Sequence, residues 1–435
     1  KIAAEVTAQS IDSDTPSTKG KLKASGPDFP TLIKMAMQFT SGDTRDLKML
    51  AKRLSATPKA FDITAEFDVD LKTGVVDIPS LSIKALGLIT KAKLNAKQVN
   101  SDIPSFSGEL KANGSDLPLL IQVASAFKHE DSSLPALAND LAKIKNKKFN
   151  LDTRFSIDMK LGEIDLPLLT ANALGFNMSG NLKGDNIQKS SGNMSGKFSV
   201  SSKTPKPLLR TLGQTDLAGV LQSIKLNTDI NGNLENLSLI PLSLDLVFSG
   251  KKIPNSPVKL AVKADSSVNL KKEIFELSDL SVSGLGLDLK GAIKVTNFKI
   301  EPALSGDIVL APFDLRQFMK TLNQEMPATV DPKVLKRVAL SASFNGIGDS
   351  ISLKNLKVDM DETRMQGNIN LKNMSPLDIE FGLGIDQLNA DRYLSPVTDK
   401  KKTKVMTPEA LAAGVATKIP VETLRAIKIK GDLVM

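Results

Sequence analysis

The sequence predicts a mainly β protein: an elongated, twisted antiparallel sheet curled into a groove, built from repeated units that each carry a short amphipathic helix. Three observations predict it. Long stretches alternate apolar and polar residues with period two, which gives each strand one apolar and one wet face. The pattern restates itself at a fixed offset of 88 residues (108 minus 20). The composition, with 4% aromatics, one Tyr and no Trp in 435 residues, suits thin-walled sheet lined by Leu, Ile, Val and Ala better than a core built on large aromatic anchors.

Self-similarity decides architecture, so the repeat comes first. Gly108–Ile121 restates Gly20–Ile33, and the same offset carries Phe61 to Phe149, Pro79 to Pro167, and Ala85–Leu88 to Ala173–Phe176. A third copy opens at Gly196, again 88 residues on, and a fourth at Gly306, 110 residues on, after an insertion. These anchors set repeat 1 at 1–107, incomplete at its N-terminus, repeat 2 at 108–195, repeat 3 with the insertion at 196–305, and repeat 4 at 306–395. A loop with a short helix is expected at 396–420, and the opening of a truncated further repeat at 421–435.

Each repeat reads as a strand ending near a Gly, a short helix, then several strands. Asp28 and Asp116 stand where an N-cap is needed, with Pro30 and Pro118 in the first turn; Thr204–Pro205 varies the arrangement. A capping oxygen accepts from the free N–H groups, and Pro is tolerated because its missing donor was unpaired anyway. Apolar residues then fall at helical spacing, as in Leu32, Met35, Ala36 and Phe39, or Leu315, Phe318, Met319 and Leu322. Pro327 and Pro332 bound the last helix.

The strands are clearest in Phe61–Leu71, where odd positions are apolar or Ala and even positions are acidic or Thr, and in its repeat Phe149–Leu161. Ile224–Ile230, Leu242–Phe248, Val338–Phe344 and Leu377–Ile385 behave alike. Such alternation fits antiparallel strands half exposed to water, not a parallel α/β sheet. Turn signals at Leu71–Gly74 and Asn345–Asp349 separate them. Roughly 20 strands at about 4.7 Å would make a sheet on the order of 90 Å long, far more than one small ligand requires.

The apolar face has to be covered. It can close on itself, pack on a second sheet, or curl into a groove that holds apolar ligands; large exposed apolar patches are rare unless they bind something. One short helix per repeat is too little to cover the face.

Several functions lose ground on composition. The chain has no Cys and one His, His129, in the polar stretch Phe127–Ser133. That excludes disulfides and thiolate sites and leaves no zinc ligand set of usual type. No Gly-x-Ser-x-Gly elbow accompanies His129, which reads as a solvated loop residue. Gly284–Leu289 reads as strand, not as a dinucleotide turn, and Asp359 and Asp361 flank Met360 in a strand without the glycine and distal Glu of a calcium loop. No catalytic residue, metal site or cofactor is expected. The net charge of +9 admits nucleic acid or an anionic membrane surface. The lysines alternate along strands instead of clustering, apart from Lys400–Lys404, and stacking aromatics are scarce. They therefore read as a soluble, edge-guarding polar face, and no nucleic acid is expected as partner. No apolar run reaches the length of a membrane-spanning helix.

The fourth repeat carries a family resemblance. Pro312–Leu322, Met326–Pro332, Val338–Phe344, Ile351–Asp361, Thr363–Gly367 and Ile385–Leu394 follow one another in the order of the middle region of AsmA-family proteins. The likeness covers Gly306 to Tyr393; the earlier repeats join it only through the internal repeat. It implies a periplasmic body anchored in the inner membrane of a diderm bacterium by a helix outside this chain, with a repeating β-groove that carries phospholipids toward the outer membrane. On that reading Phe67, Phe155, Ile157, Met159, Leu244, Phe248, Leu287, Phe344, Leu353, Ile369 and Phe381 line the groove. The alternative is a non-enzymatic structural or assembly factor of the outer membrane. Its core would be closed, those residues would be ordinary core, and a polar face or free strand edge would meet other envelope proteins.

Overall fold

The computed structural model describes residues 1–9, 17–37, 48, 51, 54, 60–125, 134–187, 189, 192–233, 235–251, 253–326, 328–374, 377–396 and 428–434. His129, Phe39 and Pro327 lie outside the described residues. The chain is mainly β, as expected, and divides into two bodies, Lys1–Ile240 and Pro241–Met435.

The first body opens with β1 (Ile2–Gln9), β2 (Ser17–Gly26), α1 (Phe29–Met37), β3 (Phe61–Asp70), β4 (Val75–Ala85) and β5 (Leu88–Lys97). The second repeat supplies β6 (Ser105–Gly114), α2 (Leu117–Ser125), α3 (Leu134–Leu141), β7 (Phe149–Asp158), β8 (Glu163–Ala173) and β9 (Phe176–Asp185). Then come β10 (Asn193–Ser202), α4 (Lys206–Thr211), α5 (Thr215–Val220) and β11 (Leu221–Gly232). β12 (Asn236–Phe248) straddles the division. The second body holds β13 (Val258–Asn269), β14 (Ile274–Gly284), β15 (Leu287–Thr296), β16 (Ala303–Phe313) and α6 (Leu315–Thr321). It continues through β17 (Val338–Ile347), β18 (Ser350–Met360), β19 (Thr363–Met374), β20 (Leu377–Ile385) and β21 (Lys428–Val434).

From β1 to β11, each strand pairs antiparallel with its successor. The same holds from β13 to β20. β21 departs from the pattern and lies parallel to β20. Apart from Pro396, the loop with a short helix expected at 396–420 lies outside the described residues. Eleven strands put about 47 Å of sheet in the first body.

The repeated prolines mark bulges. Pairing slips between Ile78 and Leu81, around Pro79, and between Leu166 and Leu169, around Pro167. β14 and β18 slip likewise, between Leu277 and Leu280 and between Leu353 and Leu356. Pro fits a bulge because a ladder hydrogen bond is already missing there, and the extra residue bends and twists the strand.

Helix starts follow the sequence in part. Asp116 accepts from the Leu119 N–H at 3.0 Å, and the Asp28 carboxylate takes the Thr31 hydroxyl. Asp314 caps α6 through the Gln317 N–H at 2.9 Å. Thr204 caps nothing: α4 starts after Pro205 without a side-chain cap. Here the Ser202 hydroxyl takes the Thr204 N–H at 3.1 Å and donates to the Gly175 carbonyl at 2.8 Å. On α1 Pro30 and Ile33 are buried, while Met35 is exposed, because the helix packs through Phe29, Leu32 and Ile33.

In the first body two buried clusters sit under the helices, at one end of the strands, while Ala264, Leu280, Ala342 and Leu356 are buried within strands of the second. Ala24, Ile33, Phe61, Ala85 and Leu86 form one cluster with Ala51 and Leu54; Leu141, Ile144 and Leu174 form another against α2. Leu86 and Leu174 hold the first position of tight turns, with φ of 56° and 55°, each followed by a Gly at positive φ. Asn is the usual residue there, since a left-handed Leu costs roughly 1–2 kcal/mol. Burial of each leucine side chain offsets that cost. Leu285–Gly286 repeats the geometry, so Gly284–Leu289 is not one strand: it holds the end of β14, this turn and the start of β15. Asp361 also leaves the strand: it sits at φ 54° in the β18–β19 turn.

Candidate functional site

Strand register decides which side chains stand together, because directly paired residues share a face. In the first body the apolar face forms transverse rows, one residue per strand. The row nearest the helices runs Ala85, Leu88, Gly114, Phe149, Ala173, Phe176 and Ser202. Further along, Ile78, Leu94, Gly108 and Phe155 make another row, and Val76, Ala96, Phe106, Ile157 and Ile164 the next.

Burial of the phenylalanines on β3 and β7 falls along this direction, although Ala96 and Met194, in the far row, are buried. Phe61 and Phe149, in the row nearest the helices, are each 8% exposed. Phe67, Phe155 and Ile157 are only half-buried, and Met159, in the β7–β8 turn beyond the end of β7, is 38% exposed. Thus the buried rings Phe61 and Phe149 and the candidate lining residues Phe67, Phe155 and Ile157 occupy different rows of one face.

The second body gathers four expected lining residues into one row. Gly306 pairs with Phe344, Phe344 with Leu353, Leu353 with Ile369, and Ile369 with Phe381, which faces Gly431 on β21. All four side chains are half-buried. Leu287 opens β15 opposite Gly284, at the other end of the strand. Leu244 and Phe248 share a face of β12 by alternation and are half-buried.

One device recurs at equivalent places. The glycine that opens each copy faces a large apolar residue on the next strand: Gly20 with Phe67, Gly108 with Phe155, Gly196 with Ile230, Gly306 with Phe344. A Cβ on Gly108 would lie 2.5 Å from the Lys93 carbonyl oxygen and 3.2 Å from Phe155 Cζ; on Gly306 it would lie 2.7 Å from Phe344 Cζ. At all four glycines it would also overlap a carbonyl oxygen of the preceding strand. The strands approach too closely there for any side chain, and at Gly108 and Gly306 the phenyl ring lies down over the gap. The result is a low apolar floor. The 88-residue offset marks Gly20, Gly108 and Gly196 in the sequence, but the partner of each depends on strand register.

The opposite face is ionic. Lys19 meets Asp68 at 2.7 Å and Lys21 meets Glu66 at 2.8 Å across β2–β3; Glu109–Arg154 and Lys111–Asp152, both 3.2 Å, bridge β6–β7. Hydrogen bonds to Asp68 and Glu66 hold the Lys19 and Lys21 ammonium groups above their ordinary value. Exposed pairs of this sort contribute little stability, about 0–1 kcal/mol each. They do keep register, and a one-residue slip would exchange the two faces.

A polar tie closes the helical end of the second body. Arg316 donates to the Val334 carbonyl at 2.7 Å and to the Thr329 hydroxyl. Arg392 bridges Asp331 at 2.9 Å and Glu362 at 2.5 Å, and Tyr393 donates to Asp361 at 3.0 Å. Asp361 also accepts from the Leu335 N–H at 2.6 Å. The Lys333 N–H, then the Arg392 guanidinium, hold the Asp331 carboxyl below the usual range. Burial, then the bond to Asp361, pushes the Tyr393 phenol up.

Among the described residues no cluster of His, Cys, Asp and Glu could hold a metal ion, and no helix is long and apolar enough to cross a membrane. Comparison with family models, curated proteins and solved structures finds no match.

Proposed function

We propose that the half-buried apolar rows hold the acyl chains of phospholipids, with headgroups left in water. On this reading the chain is part of a bridge-like lipid carrier of the diderm periplasm, anchored in the inner membrane by a segment outside this sequence and supplying the outer membrane. The row Phe344–Leu353–Ile369–Phe381 carries the proposal: four large apolar side chains in register across four strands, none of them buried. Such a face is unfavourable in water unless something covers it. Hydrocarbon suits it, since each CH₂ buried contributes about 0.8 kcal/mol. A row of similar side chains also offers a sliding chain similar contacts at each step.

The test is photocrosslinking in cells. A photoreactive residue replaces Phe155, Ile157 or Phe344 on the apolar face, and Asp152, Asp158 or Ser343 on the ionic face. Phospholipid adducts confined to the first set are expected. No lipid at either set, in a folded protein, would overturn the proposal in favour of an assembly factor that binds envelope proteins.

A further inference from the structure

The apolar face of the first body is not uniform. Between the sheet and the helices α1 and α2 it deepens into a chamber of ≈ 580 Å³, within the size range of ligand sites, about 300–1,000 Å³. Phe29 and Leu120 wall it from the helices; Leu88, Leu110, Phe149 and Leu151 wall it from the strands.

We infer that this chamber is a discrete seat for the end of a single hydrocarbon chain, lying off the rows that carry Phe67 and Phe155. The inference rests on the lipid reading above and adds a stopping place to it.

The hollow has a cause in sequence. Ala112, Leu151 and Ala171 stand side by side in register, so a leucine is flanked by two residues too short to fill the floor. Close packing is the rule in protein interiors, and an unfilled apolar hollow forfeits dispersion contacts. Such hollows stay dry and accept apolar guests. The wall also defines the guest. Of its nineteen residues, three have polar side chains: Thr90, Asp116 and Asn150. Asp116 is committed to the Leu119 N–H, and Asn150 belongs by alternation to the opposite face. That leaves one hydroxyl, too little to recognise a headgroup. The guest therefore enters tail first, from the side where Leu110 and Leu151 adjoin the open rows. Contacts there surround the chain, whereas the open rows touch it on one side, so the tail dwells in the chamber.

The experiment uses the full chain with ¹³C-labelled Leu, Ile and Val methyls and two nitroxide-labelled fatty acids, one labelled at the terminal carbon and one beside the carboxylate. The terminal label is expected to broaden the Leu88, Leu110, Leu120 and Leu151 methyls, and the carboxylate-side label to spare them. Ala112→Phe, which fills the floor, is expected to weaken fatty-acid binding by about tenfold or more, with lipid adducts at Phe344 unchanged. If the terminal label broadens Ile157 and Ile164 but not Leu110 and Leu151, the chamber is overturned and the lipid-holding face stands. If neither label broadens any methyl of the apolar face, both readings fall. The wild-type spectra decide even if Ala112→Phe does not fold.

Discussion

Adding a single methyl group at Gly306 should destabilise the second body. An ideal Cβ there lies 2.7 Å from Phe344 Cζ and overlaps the Ala292 carbonyl oxygen. The ring can turn aside, but the contact with the Ala292 carbonyl is relieved only if β15 and β16 part. Overpacking of this kind costs about 1–3 kcal/mol. Replacing Gly also stiffens the unfolded chain, which returns about 0.4–1 kcal/mol. The net expectation for Gly306→Ala is a loss of about 1–2 kcal/mol. Gly382, on β20, is the internal control, because a Cβ there meets nothing within 4 Å. Gly382→Ala keeps only the unfolded-chain gain. For a body of this size one kcal/mol moves Tm by roughly 2–4 °C. Thermal unfolding of the full chain should therefore show Gly306→Ala lower by about 2–8 °C and Gly382→Ala level or slightly higher. If both variants unfold within a degree or so of each other, close strand approach at the glycines is not what shapes the floor.

Three other expectations follow from named contacts. Asp116→Ala removes the α2 cap and should cost about 1 kcal/mol, read as a lower urea midpoint; an unchanged midpoint would mean the cap is unimportant. Phe149→Ala, in the buried row, should cost about 3–5 kcal/mol, and Phe155→Ala, in the half-buried row, clearly less while lowering co-purified phospholipid; equal stability losses would contradict the burial gradient. Acid should loosen the tie at the helical end of the second body. The Lys333 N–H and Arg392 depress Asp331, and the Arg364 N–H depresses Asp386, so their contribution is complete above the unfolded value near about 3.9 and is lost as pH falls through the lower folded values. Hydrogen exchange at the Val330 and Asp331 amides, which bond the Leu394 and Arg392 carbonyls, should quicken in that window beyond its intrinsic rate. Equal quickening throughout β13 would indicate global unfolding instead.

Period-two alternation foretold the strands because it reports a local property, which face each side chain takes. The 88-residue offset likewise found the strands that open each copy. Other features depend on contacts between strands distant in sequence. Gly108 and Phe155 lie far apart in the chain, and only register sets one over the other. Leu86–Gly87 was visible as a repeated anchor, but the left-handed leucine is explained only by the helix that buries it. Helical spacing over Leu32 and Met35 does not say which side of α1 is buried, because several faces of a short apolar helix satisfy it; packing against Phe61 selects the face that carries Ile33. Leu353, Ile369 and Phe381 were foreseen singly as apolar strand positions; their joining into one row required the pairings of β18, β19 and β20.

The burial gradient bears on how such a face persists in water. A protein that depended on the open rows for stability would unfold, or bind itself, whenever its ligand left. Here Phe61, Phe149, Leu86 and Leu174 are buried at the helical end, where they pack without help from the open rows. The open rows add large side chains that contribute less to folding, because they are only half-covered. The glycine–phenylalanine pairs limit the remaining exposure. A ring lying over a glycine covers backbone that would otherwise be bare and shields one of its own faces. The ionic pairs on the other face keep this apolar side from being exchanged by a slip in register. The fold thus leans most on the buried phenylalanines, and the half-covered side chains of the open rows can vary in size and shape with less effect on it.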